Sequence, residues 1–269
     1  MAFQGEFFKD EEVELMEGFL KNGFVSFPLN ELSGIDQIRE DLYAHAMKWL
    51  NLKNPPSLKE FFDHTQEYVS VEKLNALRVH LIDQMNRDSS LRVRIYRAGR
   101  DPIQAIVGNE LAMQRVANLS IQLPHDTSSL LPLHSDVWSG NSPYEVVFWI
   151  PLVDCYESKS MYALPYEKSQ EIFKNFPEFA HLDAESLYKK IEPEVIRFKV
   201  PYGQGAIFSH SLLHGNRVNE EPTTRWTINI RFKSLLSPYG TKEVGETFQP
   251  ITIRPLTRVG YHYIKPRIK

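Results

Sequence analysis

Apolar positions in the first ninety residues recur every three or four places, which is the helical period. Asp10 opens a helix whose stripe is Val13, Met16, Phe19 and Leu20, and Gly23 stops it. Phe24–Phe27 reads as a short strand ending at Pro28. A second helix is predicted over 33–50, with Ile35, Ile38, Leu42 and Trp49 on its apolar face, broken by Asn54-Pro55-Pro56. One or two further helices fill 57–86. From Leu91 the period shifts towards two. Strands are predicted at 91–96, 119–123, 130–134, 145–152, 195–200, 204–208 and 224–233, with a helix at 109–116 and a helical insertion over 175–190. Gly140-Asn141-Ser142-Pro143, Pro201-Tyr202-Gly203 and Glu221-Pro222 supply turns.

Short strands after a helical layer predict an α+β chain with a mainly β core, a jelly roll or cupin-like barrel braced by N-terminal helices. The expected organisation is one domain over 1–269: a helical bracing region (1–90), the jelly-roll core (91–235) and a C-terminal extension (236–269). No glycine-rich phosphate loop follows a strand, which argues against a nucleotide-binding Rossmann core.

Composition narrows the class. The 42% apolar and 24% charged residues are those of a globular protein. A net charge of −3 gives no electrostatic reason to expect nucleic acid. Residues 1–8 lack a basic segment followed by an apolar one, and apolar runs such as 146–153 are too short to span a bilayer, so neither a secretory leader nor a membrane anchor is expected. The single cysteine, Cys155, reads as a small buried hydrophobe and fits a cytoplasmic setting.

The chemistry concentrates in His134-Ser135-Asp136 and in His214, 80 residues on. On a strand, residues two apart point the same way, so His134 and Asp136 can aim at one ion while Ser135 faces away, with Leu131 and Leu133 packing around them. A third ligand must come from another strand. His210 and His214 both qualify; His214, after Leu212-Leu213 and before Gly215-Asn216, is preferred. Two histidines and one carboxylate on one face form the facial triad of non-haem iron sites. In 224–232 polar and apolar residues alternate strictly. Arg225, Thr227, Asn229 and Arg231 share one face, and Trp226, Ile228, Ile230 and Phe232 the other. A polar face on an interior strand implies a ligand-filled pocket, and Arg225 suits a bidentate grip on a carboxylate.

These residues resemble the Fe(II)- and 2-oxoglutarate-dependent oxygenases of the phytanoyl-CoA hydroxylase-like branch, in which His-x-Asp, a distal His and an Arg about eleven residues further on recur. The segments 119–124, 131–140, 151–154 and 159–162 are similar to the sporadic carbohydrate cluster oxygenases, over most of 91–233. The usual glycine two residues past the Leu-Pro pair is His125 here. The resemblance implies a double-stranded β-helix, Fe(II) on His134, Asp136 and His214, and 2-oxoglutarate held by Arg225 and Thr227, with Gln122 or Asn118 on the neighbouring strand. It implies O2 as oxidant and a sugar, nucleotide sugar or glycan precursor as substrate. Asp136 occupies the place a halogenase leaves open. Trp138, Asn141, Tyr144, Lys159, Ser160, Tyr162 and Arg217 are the expected substrate contacts, Trp149 is expected in the core, and 251–269 either covers the barrel or joins a homodimer. The competing reading is a cupin-like metal isomerase or epimerase without redox chemistry, which has no use for Arg225.

Overall fold

The structure, a computed structural model, describes residues 5–238 and 240–264. The first half runs α1 (Asp10–Asn22), β1 (Phe24–Pro28), α2 (Ser33–Leu50), α3 (Leu58–Asp63), α4 (Val71–Arg87), α5 (Leu91–Ala98), α6 (Arg100–Val107), β2 (Leu111–Gln114) and β3 (Asn118–Gln122). Then follow β4 (Glu145–Pro151), β5 (Met161–Ala163), α7 (Tyr166–Lys174), α8 (Phe176–Phe179), α9 (Ala184–Ile191), β6 (Ile196–Arg197), β7 (Gln204–Ser209), β8 (His214–Asn216), β9 (Arg225–Ser234), β10 (Phe248–Pro250) and α10 (Pro255–Tyr261).

The strands form two antiparallel sheets. The larger has the order β1-β7-β4-β9-β2-β10, with β3 also paired to β9; the smaller is β6-β5-β8. Strand β9 is the hub. Its first half pairs with β3 in the register Gln122↔Arg225 and Ser120↔Thr227, and its last residues pair with β2. Trp226, Ile228, Ile230 and Phe232 are fully buried. Trp226 packs on Phe62 (centroids 4.7 Å) and donates through Nε1 to Thr65 Oγ1 at 2.9 Å. Helices α2–α5 thus brace the apolar face of the sheet, leaving the other face of β9 free for chemistry.

Three predicted elements are corrected. Residues 91–96 are helical, because Leu91, Ile95 and Ala98 bury one face at helical spacing while Val93 stays exposed. Residues 111–114 are a strand rather than a helix; all four are buried, and a short apolar run carries no period to tell the two apart. Residues 130–134 form no strand, only a bridge from His134 to His214. The helical region therefore extends to Val107, and the insertion spans 166–191 rather than 175–190. In α1, Met16 is buried but Leu20 is exposed. The C-terminal stretch covers its own chain as far as Ile253; Leu256 and Val259 on α10 are exposed. Residues 265–269 lie outside the described part. No helix among the described residues is long and apolar enough to cross a membrane.

Candidate metal centre

His134 and His214 meet across a two-residue bridge, each backbone N–H donating to the other's carbonyl at 2.9 Å. Their rings lie 4.3 Å apart between centroids. Ser135 is extended (φ −122°, ψ 134°), so His134 and Asp136 share a side while the Ser135 hydroxyl turns away to donate to His210 O at 2.9 Å. Asp136 then opens a short 3₁₀ turn, Asp136–Ser139, which ends on Gly140 at φ 82°. The two-residue spacing thus converges without a regular strand.

One ligand atom from each of His134, Asp136 and His214 lies within 4.8 Å of the others, and His134 Nε2 stands 3.7 Å from Asp136 Oδ1. With metal–ligand bonds of about 2.1 Å, neighbouring ligands stand roughly 3 Å apart, so the three fit one ion after closing by up to about 2 Å. Both imidazoles are oriented for it. His134 Nδ1 lies 2.8 Å from Pro132 O and His214 Nδ1 lies 3.0 Å from Leu212 O. A carbonyl only accepts, so each Nδ1 carries the proton and each Nε2 presents a lone pair. Burial, with His134 close by, pushes His214 down to about 4, which keeps it unprotonated at neutral pH. Burial alone would raise the Asp136 carboxyl; His214, His210, Arg231 and His134 around it outweigh that and hold it below the usual range.

His210 does not join the group. It is fully buried behind the carboxylate, with Nε2 3.6 Å from Asp136 Oδ2 and Nδ1 3.4 Å from Glu145 Oε2. Glu145 is in turn 3.6 Å from Lys233 Nζ, its cross-strand partner, and Arg231 Nη2 stands 3.6 Å from Asp136 Oδ1. Sequence reading missed this backing. Its signals are present: a charged residue opening the otherwise apolar β4, and Arg231 and Lys233 continuing the polar parity of Arg225.

A cavity of about 130 Å³ leads from His214 to Arg225 and Thr227, with Ser120, Trp149 and Asn229 also in its wall. Trp149, expected in the core, is buried yet faces this space. Arg225 is 4% exposed, and its head group donates to Ser160 O (3.4 Å) and Ser120 Oγ (3.2 Å). Arg225 Nε, Thr227 Oγ1 and Ser160 Oγ are buried without a hydrogen-bond partner. Burial pushes the guanidinium down to about 10, so it remains charged at neutral pH. A buried cation with no carboxylate partner among the described residues, beside an unsatisfied hydroxyl, is costly unless an anionic ligand completes it.

The other expected contacts scatter. Gln122 gives its amide to Arg217 O at 2.8 Å and accepts from Asn216, and Asn118 donates to Asn229 Oδ1 at 3.2 Å. Asn141 ties down the turn by donating to Asp136 O at 2.9 Å. Tyr162 is buried against Tyr188 (4.8 Å), and Arg217 is paired to Glu185 at 2.6 Å. Lys159 lines a separate cavity. Trp138, 47% exposed, sits edge-on to Phe173 and Phe176 beside the centre, and Tyr144 is exposed. Leu133 is buried as expected, but Leu131 is exposed. His125 takes a left-handed backbone (φ 58°) in its loop.

No protein-family model and no curated protein matches the chain. Solved structures do. A nickel complex of the non-haem monooxygenase ThoJ superposes with a TM-score of 0.55 at 18% identity, over 89% of this chain and 84% of that one. The non-haem α-ketoglutarate-dependent carbocyclase SnoK of nogalamycin biosynthesis gives 0.52 at 15%, over 94% and 100%. HygX from Streptomyces hygroscopicus, with nickel and 2-oxoglutarate bound, gives 0.50 at 13%, over 86% and 89%. At these identities the likeness establishes a shared fold.

Proposed function

We propose that this chain is an Fe(II)- and 2-oxoglutarate-dependent oxygenase acting on a small molecule. The observation that carries the reading is one cavity joining His214 of the ligand cluster to a buried, unpaired Arg225 and an unsatisfied Thr227. His134, Asp136 and His214 would hold the iron and leave the opposite face for other ligands. The bound iron supplies oxidative chemistry: O2 and the 2-oxo acid are consumed, succinate and CO2 released, and substrate oxidised. Arg225, with Thr227, would grip the distal carboxylate of 2-oxoglutarate and orient it towards the metal. His210 and Arg231 would fix the Asp136 carboxylate, and the Pro132 and Leu212 carbonyls would fix the two rings.

We read the two sheets as the halves of a double-stranded β-helix and the chain as one domain, with helices as its brace. The fold shared with ThoJ, SnoK and HygX supports this, as does the resemblance of 91–233 to oxygenases of carbohydrate clusters. A sugar-type substrate is the class we propose, and the carbohydrate-cluster resemblance is its support. With Tyr162, Arg217 and Asn141 engaged internally, Trp138 and Tyr144 are the exposed candidates for its contacts.

Succinate release under air, with Fe(II) and 2-oxoglutarate and no prime substrate, tests the assignment. Slow turnover that stops without O2 or iron is expected. Activity on a sugar that is indifferent to O2 and survives Arg225→Ala would instead establish the isomerase reading.

A further inference from the structure

A second cavity, of about 540 Å³, opens between α2, α3 and the loop after β4. It shares no lining residue with the metal-centre cavity. Of its carboxylates, Asp63 pairs with Lys59 at 2.5 Å, and Asp154 accepts from the Tyr202 backbone at 2.8 Å. Two of its cations, Lys159 and Arg39, have donors to spare. Lys159 is 2% exposed, and its ammonium donates to Thr223 Oγ1 at 2.6 Å, leaving two of three donors. Arg39 lies over the Tyr202 ring at 4.2 Å, and its Nε is buried without a hydrogen-bond partner. Neither forms an ion pair among the described residues. Burial pushes Lys159 below the usual lysine range even though Asp63 and Asp154 act in the opposite sense, so the buried ammonium is only partly compensated. The remaining donors and the guanidinium fork suit a doubly charged oxyanion better than a single carboxylate.

We propose that this cavity is a phosphoryl-binding site, with Lys159, Thr223 and Arg39 contacting the oxyanion. It lies beyond Ser160 from Arg225, because the Ser160 carbonyl accepts from the Arg225 head group while Lys159, the preceding residue, faces the second cavity. The binding claim does not depend on the oxygenase reading.

The test is a thermal-unfolding and calorimetric titration of the full chain with sodium phosphate, a hexose 1-phosphate and a nucleoside monophosphate, against sodium chloride at equal ionic strength. Saturable stabilisation is expected, about 5 °C at a hundred times Kd. Lys159→Met should fold, since it removes an only partly compensated buried charge, and should bind phosphate at least ten-fold more weakly. Arg39→Gln should weaken binding similarly and is an independent check should Lys159→Met fold poorly. Arg225→Met should keep the response, which separates this site from the metal-centre cavity. Equal binding of phosphate and its esters makes free phosphate the ligand; tighter binding of one ester makes it a phosphorylated metabolite. No response beyond chloride, or an unchanged response in both Lys159→Met and Arg39→Gln, overturns the proposal.

Discussion

Arg225→Met separates the cost of a buried charge from its use. Arg225 is 4% exposed, and among the described residues its guanidinium has no ion pair and donates to a carbonyl and a hydroxyl. The fall from the usual arginine range to about 10 corresponds to roughly 3 kcal/mol of cost on the charged form. Methionine keeps an unbranched, flexible side chain in the same space without the charge. The ligand-free variant should therefore be as stable as the parent, or more stable by about 1–3 kcal/mol, in urea unfolding. Binding of 2-oxoglutarate should move the other way. Losing one partner of a desolvated charge pair costs about 2–5 kcal/mol, or about 30-fold to several thousand-fold in Kd. Calorimetry with Ni(II) as a redox-inert metal measures this, with nickel affinity as the internal control. A variant that loses stability but binds 2-oxoglutarate normally would show that Arg225 is a structural residue, and the pocket would need another occupant.

Three further outcomes follow from the same geometry. Gly215→Ala places a Cβ 2.7 Å from the Tyr162 hydroxyl and 2.8 Å from Leu131 O, so β8 must shift and carry His214 with it; nickel affinity should fall at least ten-fold, and unchanged affinity would contradict the geometry. Trp226→Ala removes the fully buried anchor behind Arg225 and should cost about 3–5 kcal/mol in urea unfolding, whereas a cost under about 1 kcal/mol would mean that α3 does not brace β9. Burial holds His214 at about 4 and His210 at about 3 in the fold, whereas unfolded imidazoles titrate near 6.5. The unfolded chain therefore binds more protons below about pH 6.5, and the metal-free protein should lose stability as pH falls from there towards 4. Glu145, raised by burial, works in the opposite sense, but two histidines outweigh one carboxyl; a urea midpoint that rises over this window would refute the sign.

The convergence of His134, Asp136 and His214 was legible because two-residue spacing needs only one extended residue between His134 and Asp136, and Ser135 supplies it even though 130–134 is no strand. The face of β9 was legible because strict alternation on a strand buried on both sides leaves one reading. Helix α5 was not, because Leu91-Arg92-Val93-Arg94-Ile95 satisfies both periods and only packing decides. The backing of Asp136 by His210 and Glu145 joins β4 to the end of β7 across the sheet, and no local pattern reports a cross-strand register. Internal partners of several expected substrate residues escaped the sequence for a related reason. Asn141, just past the metal motif, and Tyr162, on β5, were drawn into the fold's own hydrogen bonds and packing.

One ion on His134, Asp136 and His214 and one diacid on Arg225 are proposed to share a single cavity. Anaerobic titration of the protein with Fe(II) and then 2-oxoglutarate addresses it directly. A visible charge-transfer absorption that needs both components, saturates at one equivalent of iron and disappears in His134→Ala is the predicted result. A colourless mixture at saturating iron and 2-oxoglutarate, or a band that persists in His134→Ala, would contradict it.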